Sequence, residues 1–438
     1  MTIRNRRVAV VIFWRVSATL LICAVYAAAQ AVTPTLTTLH TFTGYPDDGA
    51  SPGGVVIGSG GVLYGTTSSG GSYGPSYRNG YGTVFSLTPP AAPSGSWTEA
   101  FYSISRDIGA HPSGVTIGGD GVLYGATQFA AFAIKPPTTP SAPWAAKVIS
   151  SGSPVITYPN GAMTVGSGGV LYGTSYDGAS TYDGYGDVFS VTPPSSPDGS
   201  WTTQSMYNFY SWMTGFQPDG YYPAAGVVIG EGGVLYGTTS QSAQDGAMGG
   251  AGIVYSLSPP AAAGDAWTET ILYWFGTSPG DASIPASAGV VIGSGGVLYG
   301  TTTGGGTNTS CGHSYGCGTV YSLTPPTSSS GTWTETVLYS FAGGNDGANP
   351  NGVVIGKNGV LYGTTGGGGT AGLGTVFSLT PPASPGVPWT EAVLHSFTGS
   401  DGANPTTGVA IGREGALYGT TSSGGTGVCG CGTVFELR

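Results

Sequence analysis

The stretch Trp333–Pro382, WTETVLYSFAGGNDGANPNGVVIGKNGVLYGTTGGGGTAGLGTVFSLTPP, contains four short runs that are rich in Val, Leu, Tyr, Phe and Thr. Gly, Pro, Asn and Asp separate these runs, a pattern that is typical of β-strands joined by turns rather than of helices. The runs are WTETVLYSF (333–341), GVVI (352–355), VLYGTT (360–365) and GTVFSL (374–379). The stretch therefore predicts one unit of four strands that run alternately up and down.

The tripeptide Leu-Tyr-Gly of this unit occurs seven times, at intervals of 48 to 64 residues. Four-stranded repeats of this length are typical of a propeller, in which each unit buries its apolar faces against its neighbours. The sequence predicts an all-β fold, a seven-bladed β-propeller of four-stranded blades. The seven tyrosines are Tyr64, Tyr124, Tyr172, Tyr236, Tyr299, Tyr362 and Tyr418.

The two ends of the repeat region predict how the ring closes. Residues 35–42, TLTTLHTF, match the WTETVLYSF run but precede the first complete unit, whereas the last unit stops after its GTVFEL run at 432–437. We therefore expect the N-terminal strand to pair with residues 433–437 and to complete the last blade. A closed ring leaves no exposed sheet edge, which favours a propeller over an open solenoid.

Residues 1–31 have a different composition from the rest of the chain. Arg4, Arg6 and Arg7 precede an apolar run, and Ala29-Gln30-Ala31 has the small-x-small pattern of a signal-peptidase site. We predict a signal peptide at 1–31 and a seven-repeat domain at 32–438; an uncleaved membrane anchor is the alternative. Outside residues 1–31 no run approaches 18 consecutive apolar residues, so no further membrane span is predicted. The predicted location is secreted, periplasmic or at the cell surface.

The charge of the predicted domain limits its partners. Without the four arginines of residues 1–31, the domain has 7 basic and 21 acidic residues, a net charge of −14. Such a domain repels phosphate backbones instead of binding them, so no nucleic-acid partner is expected.

Several phrases recur in fixed order along the chain: D-G-A-x-P, V-x-I-G, L-Y-G-T-T and G-T-V-F-x-L-T-P. Together they resemble the GloVer tandem repeat of bacterial "choice-of-anchor" surface proteins, over about residues 36–438. The resemblance implies an exported protein, and it brings no assigned enzymatic activity with it.

Aspartates form two patterns. Five of them stand four residues before a proline, where an aspartate side chain is suited to capping a turn. They are Asp48, Asp219, Asp281, Asp346 and Asp401. Separately, Asp177, Asp183 and Asp187 lie within eleven residues of the third loop and are candidate ligands for Ca²⁺; no other cofactor is expected. Their spacing matches no EF-hand, and a solvated loop is the alternative.

Repeated acidic and histidine residues are interpreted as framework. Glutamates recur in the W-T-E phrase, while His40 and His395 occupy a position that is tyrosine in most other units. General acid–base catalysis needs groups whose surroundings differ from those of their copies, so no catalytic residue is identified. The glutamates are Glu99, Glu269, Glu335 and Glu391.

The predicted domain contains four cysteines. An even count in an exported chain indicates disulfides. Cys317 and Cys431 occupy equivalent places in units five and seven, which lie apart in a ring, so pairing within each loop is favoured. We expect Cys311 to pair with Cys317 and Cys429 with Cys431; zinc bound by four thiolates is the alternative.

Tyrosines are concentrated in the variable loops. Exposed tyrosine rings among Gly, Ser and Asn form adaptable binding surfaces, because the phenol both stacks and donates a hydrogen bond. We predict a non-catalytic propeller whose loop-bearing face binds a glycan or a surface protein. The alternatives are rings that only pack their own loops, or a polysaccharide hydrolase or lyase with a carboxylate pair on that face. The candidate ligand-binding residues are Tyr73, Tyr77, Tyr81, Tyr182, Tyr185, Tyr221 and Tyr222.

Overall fold

Thirty strands form seven antiparallel sheets in the computed structural model, which describes residues 34–438 except 73–78, 93–94, 138–141, 152–155, 179–183, 197, 210–218, 245–246, 263–264, 309–310, 312–315, 329 and 385. Pro34–Arg438 form one compact unit. The sheets are the blades of a seven-bladed propeller, as the sequence predicted. The predicted signal segment lies outside the described residues.

The strands are numbered along the chain. The first is β1 (Leu36–Thr41). Blade 1 contains β2 (Gly49–Ile57), β3 (Leu63–Gly70), β4 (Thr83–Thr88) and β5 (Thr98–Ser103); blade 2 contains β6 (Val115–Ile117), β7 (Leu123–Thr127), β8 (Ala130–Lys135) and β9 (Ala145–Ser151). Blade 3 contains β10 (Thr164–Val165), β11 (Leu171–Ser175), β12 (Asp187–Thr192) and β13 (Thr202–Asn208).

The remaining blades follow the same order. Blade 4 contains β14 (Asp219–Pro223), β15 (Val228–Ile229), β16 (Leu235–Gln244), β17 (Ala247–Gly250), β18 (Ile253–Ser258) and β19 (Thr268–Trp274); blade 5 contains β20 (Ala282–Ile292), β21 (Leu298–Gly305), β22 (Thr319–Thr324) and β23 (Thr334–Ser340). Blade 6 contains β24 (Ala348–Ile355), β25 (Leu361–Gly367), β26 (Thr375–Thr380) and β27 (Thr390–Ser396); blade 7 contains β28 (Ala410–Ile411), β29 (Leu417–Thr421) and β30 (Thr433–Leu437), completed by β1.

The N-terminal strand closes the ring. In the last sheet the order is β1-β30-β29-β28, and β1 pairs antiparallel with β30 from Leu36 opposite Leu437 to Thr41 opposite Thr433. Two backbone hydrogen bonds, of 2.7 and 3.1 Å, also join Thr35 and Arg438. The predicted closure is therefore confirmed.

The first strands of the blades form the inner ring. Each contacts the first strand of its neighbours or the residues just before it, and small residues make these contacts. A Cβ on Gly352, for example, would lie 2.2 Å from the Cβ of Ala288 in the preceding blade. The glycines of this strand therefore set how closely adjacent blades approach each other.

The hydrophobic core lies between blades. Seven clusters of buried side chains each combine residues of two adjacent blades. An aromatic ring directly after one fourth strand meets an aromatic ring of the third strand in the next blade edge to face, as in Phe341–Phe377 at 5.1 Å and Phe42–Phe85 at 5.2 Å. Such pairs stabilise beyond the area they bury, so each blade depends on its neighbours for stability.

The glycine of Leu-Tyr-Gly has a packing role. In blade 6 a Cβ on Gly363 would lie 2.4 Å from the carbonyl oxygen of Gly352 and 2.6 Å from Cζ of Phe377. The same arrangement recurs in the other blades, where the ring of the third strand lies against this glycine. The glycine therefore leaves room both for the aromatic ring of the third strand and for the backbone of the first strand.

Two details differ from the expected blade. The D-G-A-N-P segment was predicted as a turn only, but in blade 6 the strand β24 already begins at Ala348 and a bulge between Pro350 and Gly352 shifts its register. Blade 4 has six strands, because its first strand is divided in two and its long loop adds β17.

Helical structure among the described residues is limited to 3₁₀ turns of three residues. Six of them form the hairpin between the first and second strands of a blade. Within the same residues no helix is long and apolar enough to cross a membrane. The turns are Ser59–Gly61, Ser167–Gly169, Glu231–Gly233, Ser294–Gly296, Gly344–Asp346, Lys357–Gly359 and Arg413–Gly415.

Both predicted disulfides are present. Cys311 is bonded to Cys317 and Cys429 to Cys431, each within one loop. Disulfides form and persist in oxidising compartments, so the pairing fits an extracellular protein.

Candidate functional site

A residue that precedes a proline and has a positive φ lies in the first strand of each blade or shortly before it. These residues are Ser51, His111, Tyr158, Tyr222, Ile284, Asn349 and Asn404, with φ between 50° and 59°. The backbone N–H of each donates to a carbonyl of the preceding blade, as from Tyr222 to Tyr185 at 2.7 Å. Because all seven blades share this conformation, it belongs to the repeat, and only the side chain it presents varies.

Tyrosine occupies this pre-proline position in blades 3 and 4, and the two tyrosines belong to one group of rings. Tyr222 stacks on Tyr176 with ring centroids 4.4 Å apart and an interplanar angle of 5°. Tyr158 meets Phe129 edge to face at 6.1 Å. A backbone hydrogen bond of 3.0 Å from Tyr176 to Tyr158 joins the two pairs.

We call Phe129, Tyr158, Tyr176, Tyr185 and Tyr222 the aromatic surface. Phe129, Tyr158 and Tyr176 are 53%, 47% and 40% exposed, which is unusual for large rings. Main-chain hydrogen bonds fix the backbone beneath them, from Tyr158 to Gln128 and from Tyr222 to Tyr185. The loops of the second, third and fourth blades thus present flat rings with phenol groups on a fixed backbone.

The structure separates the tyrosines predicted from the sequence. Tyr185 and Tyr222 belong to the aromatic surface, whereas Tyr81 and Tyr221 are buried, at 5% and 1% exposure. Tyr73, Tyr77 and Tyr182 lie outside the described residues. Phe129 and Tyr158 were not predicted; the signal for Tyr158 was its place directly before Pro159, equivalent to Tyr222 before Pro223.

The third-loop aspartates do not share one environment. Asp187 is fully buried, and its Oδ1 accepts a 2.6 Å hydrogen bond from Ser175. This pair replaces the buried threonine pair of other blades, such as Thr365 and Thr375 at 2.8 Å. Burial raises the pKa of Asp187 to about 7. Asp177 is partly exposed and Asp183 lies outside the described residues, so the geometry places Asp187 in the blade framework and leaves the calcium site a prediction.

Four turn aspartates accept a hydrogen bond from a backbone N–H of their turn, as predicted, and aspartates at these positions also connect blades; the four are Asp48, Asp281, Asp346 and Asp401. In blade 6 Asp346 accepts hydrogen bonds from the backbone N–H of Ala342 (2.6 Å) and from Oη of Tyr339 (2.7 Å). Asp219 and Asp281 accept from the equivalent tyrosines, whereas Asp48 and Asp401 are bonded to His40 and His395. The histidines therefore fill a framework position, as expected.

The W-T-E glutamates lie close to these pairs, across the joint between blades. The Oε1 atoms of Glu99, Glu269, Glu335 and Glu391 are buried and accept no hydrogen bond from the described residues. Burial, together with the neighbouring Asp219, raises the pKa of Glu269 to about 8, and burial raises the pKa of the other three to about 7. At the joint of blades 1 and 2, where Ile108 replaces the aspartate, Ala146 replaces the glutamate.

These glutamates predict a stability that decreases as the pH rises. The pKa of Glu269, Glu335 and Glu391 is higher in the folded chain than the ordinary value of 4.5, so the unfolded chain ionises first. Unfolding therefore releases protons between about pH 4.5 and 8, and stability is lost with rising pH across that window. We expect the melting temperature at pH 5 to exceed that at pH 8 by at least roughly 3 °C.

The triple substitution Glu269→Gln, Glu335→Gln and Glu391→Gln is the matched control, because glutamine resembles the protonated acid. Its melting temperature should change much less between pH 5 and pH 8. Calorimetry that gave equal melting temperatures for the native chain at both pH values would contradict the prediction.

Comparison with known proteins supports the repeat assignment. Residues 308–438 match the Gloeobacter/Verrucomicrobia repeat. Over these residues the chain is similar to this repeat family. The matched repeats comprise the end of blade 5, blade 6 and the three C-terminal strands of blade 7. No curated protein matches the chain.

Solved structures that resemble the repeat domain share its fold. A catalytically inactive variant of virginiamycin B lyase from Staphylococcus aureus, solved with quinupristin, has a TM-score of 0.53 and 16% identity, covering 92% of this chain and 99% of its own. The extracellular domain of a hybrid two-component system from B. thetaiotaomicron has a TM-score of 0.50 and 10% identity, covering 92% of this chain and 41% of its own. At such identities the likeness shows the propeller fold alone.

The last repeat contributes to a cleft of about 890 Å³ where blades 7 and 1 meet, on the face of the short connections. Its wall includes Trp97, Tyr418, Glu436 and Arg438. Glu436 accepts hydrogen bonds from Oη of Tyr418 (2.6 Å) and Nε of Arg438 (2.8 Å). Other blades have serine or alanine at the position of Glu436, a signal in the sequence that was missed.

Proposed function

We propose that this chain is an exported, non-catalytic propeller that binds a neutral carbohydrate through its aromatic surface. The observation that carries the proposal is the exposure of Phe129, Tyr158 and Tyr176 beside the stacked Tyr222. Flat aromatic rings offer apolar faces to the C–H groups of a sugar, while the phenol groups can hydrogen bond its hydroxyls. The surface combines both properties.

The fixed backbone of the surface supports binding. Tyr158 and Tyr222 are held by hydrogen bonds to adjacent blades, so little conformational freedom of the backbone is lost when a ligand is bound. Tyrosine has few rotatable bonds, which keeps the entropy cost of its side chain low as well.

Charge favours a neutral ligand over an acidic one. The full chain has a net charge of −10, and removal of the predicted signal peptide would make it −14. An acidic polysaccharide would be repelled by this charge. A neutral glycan is therefore the better fit among carbohydrates, and a surface protein is the alternative partner.

The test uses a glycan array of neutral oligosaccharides with the native chain and the double variant Tyr158→Asn/Tyr222→Asn. Asparagine occupies the same pre-proline position with positive φ at Asn349 and Asn404, so the variant should fold. We expect the native chain to bind at least one glycan and the variant to lose at least about tenfold in affinity, about 1.4 kcal/mol.

Asn404→Ser is the control, because serine fills the equivalent position at Ser51. It should leave glycan affinity unchanged. If no neutral glycan binds, or if the double variant binds as tightly as the native chain, the carbohydrate proposal is wrong. Release of reducing ends from a bound glycan would instead show a hydrolase or lyase.

A further inference from the structure

The joint between blades 7 and 1 differs from the other joints in its side chains. His40 comes from β1, Asp48 from the connection to β2, and Glu99 from β5. Nε2 of His40 lies 3.2 Å from Oδ2 of Asp48 and 3.6 Å from Oε1 of Glu99. These three atoms all lie within 4.8 Å of one another. No other group of His, Cys, Asp and Glu in the described residues comes together in this way.

The distances between these three ligand atoms match those around a small divalent cation. Zinc binds histidine nitrogen and carboxylate oxygen at about 2.0 to 2.2 Å, so two ligand atoms at a tetrahedral zinc lie roughly 3.4 Å apart. The distances from His40 to its two acidic neighbours, 3.2 and 3.6 Å, fall on either side of that value. The three groups could therefore contact one ion with little movement.

Burial and charge also suit a cation. The side chains of His40, Asp48 and Glu99 are 20%, 6% and 18% exposed, so the group is shielded but can still be reached from solvent. Oε1 of Glu99 is buried and accepts no hydrogen bond from the described residues. Two carboxyl groups that approach each other at a partly buried joint are stabilised by an added positive charge.

The other blade joints have different side chains at the equivalent positions. Where the joint has an aspartate and a glutamate, as with Asp281 and Glu335 or Asp346 and Glu391, the third residue is a tyrosine, a poor ligand. The second histidine, His395, is bonded to Asp401 at 2.8 Å, but Leu36 occupies the place of the glutamate. Histidine, aspartate and glutamate therefore meet at one joint only among the described residues.

We propose that His40, Asp48 and Glu99 bind one Zn²⁺ ion and that this ion fastens the N-terminal strand to blade 1. Three protein ligands leave the fourth tetrahedral position for water. The ion would link His40 of β1, the strand that completes blade 7, to Glu99 of blade 1. Binding to the folded chain alone raises its stability.

The test is calorimetric titration of the folded chain with ZnCl₂ at pH 7.5, with thermal unfolding as a second measurement. We expect one Zn²⁺ per chain and a melting temperature that rises with added zinc. His40→Tyr should lose at least about tenfold in zinc affinity, the loss that even removal of an outer-shell partner can cause. This variant should fold, because tyrosine makes the same hydrogen bond to aspartate at Tyr273 and Tyr339.

His395→Tyr is the matched control and should leave zinc affinity unchanged, while Glu99→Gln should weaken it as His40→Tyr does. The proposal is overturned if the native chain takes up no zinc at about 100 μM, a concentration that corresponds to only about −5.5 kcal/mol of binding. It is also overturned if His40→Tyr and Glu99→Gln bind zinc like the native chain, or if His395→Tyr loses as much affinity as they do.

Discussion

A chain that begins at Gly44, and so lacks β1, is expected not to form a stable propeller. Without β1, the strand β30 loses its partner from Thr433 to Leu437 and becomes a sheet edge. The same truncation removes Phe42, which is fully buried against Phe85 of blade 1. Loss of a buried phenylalanine alone costs about 3 to 5 kcal/mol. Since whole domains are stable by about 5 to 15 kcal/mol, we expect no cooperative thermal transition by circular dichroism.

A chain that begins at Pro34 is the control for this truncation, because it keeps β1 and should melt like the full chain. The exposed edge of β30 should also make the shorter chain aggregate, which size-exclusion chromatography detects. A synthetic peptide of residues 34–43 should restore folding by adding a strand to that edge. A chain from Gly44 that melted within about 2 °C of the control would contradict closure by β1.

The ring could be predicted because the same pattern of strands recurs seven times in the sequence. A single run such as GTVFSL could be a strand in many folds, but seven copies in fixed order specify a blade and its neighbours. The two ends could be assigned because residues 35–42 carry the phrase that the last unit lacks. The pairing of residues 35–42 with 433–437 follows from this match and required no knowledge of distances.

Burial within the loops could not be predicted in the same way. Tyr221 and Tyr222 are adjacent in sequence, yet Tyr221 is buried and Tyr222 stacks on Tyr176 at the face. The two side chains are neighbours in β14 and point to opposite faces of the strand, and the backbone of Tyr222 is bonded to Tyr185 of the preceding blade. A composition rich in Tyr, Gly and Ser does not show which tyrosine side chains are buried and which lie at the surface.

Contacts across a blade joint could not be predicted from the sequence either. His40 lies on β1 of blade 7 and Glu99 on β5 of blade 1, so their approach depends on how the two sheets pack against each other. Repetition predicted these residues to be framework. It gave no indication that His40, by replacing a tyrosine, brings a histidine, an aspartate and a glutamate together at one joint.

Substitution of Gly363 by alanine is expected to destabilise the propeller by about 3 kcal/mol. A Cβ at this position would lie 2.4 Å from the carbonyl oxygen of Gly352 and 2.6 Å from the ring of Phe377. The carbonyl is part of the neighbouring strand β24, and Phe377 is fully buried, so neither can move aside without disturbing the blade. Chemical unfolding in urea would measure the loss as a lower transition midpoint with an unchanged slope.

Gly366 supplies the matched control in the same strand, β25. A Cβ there would meet its nearest atom, the carbonyl oxygen of Pro405, at 3.5 Å, which is ordinary contact. Gly366→Ala should therefore change stability by no more than about 0.5 kcal/mol. If both substitutions had the same small effect, the glycine of Leu-Tyr-Gly would not be required by packing, and its recurrence in all seven blades would need a different physical cause.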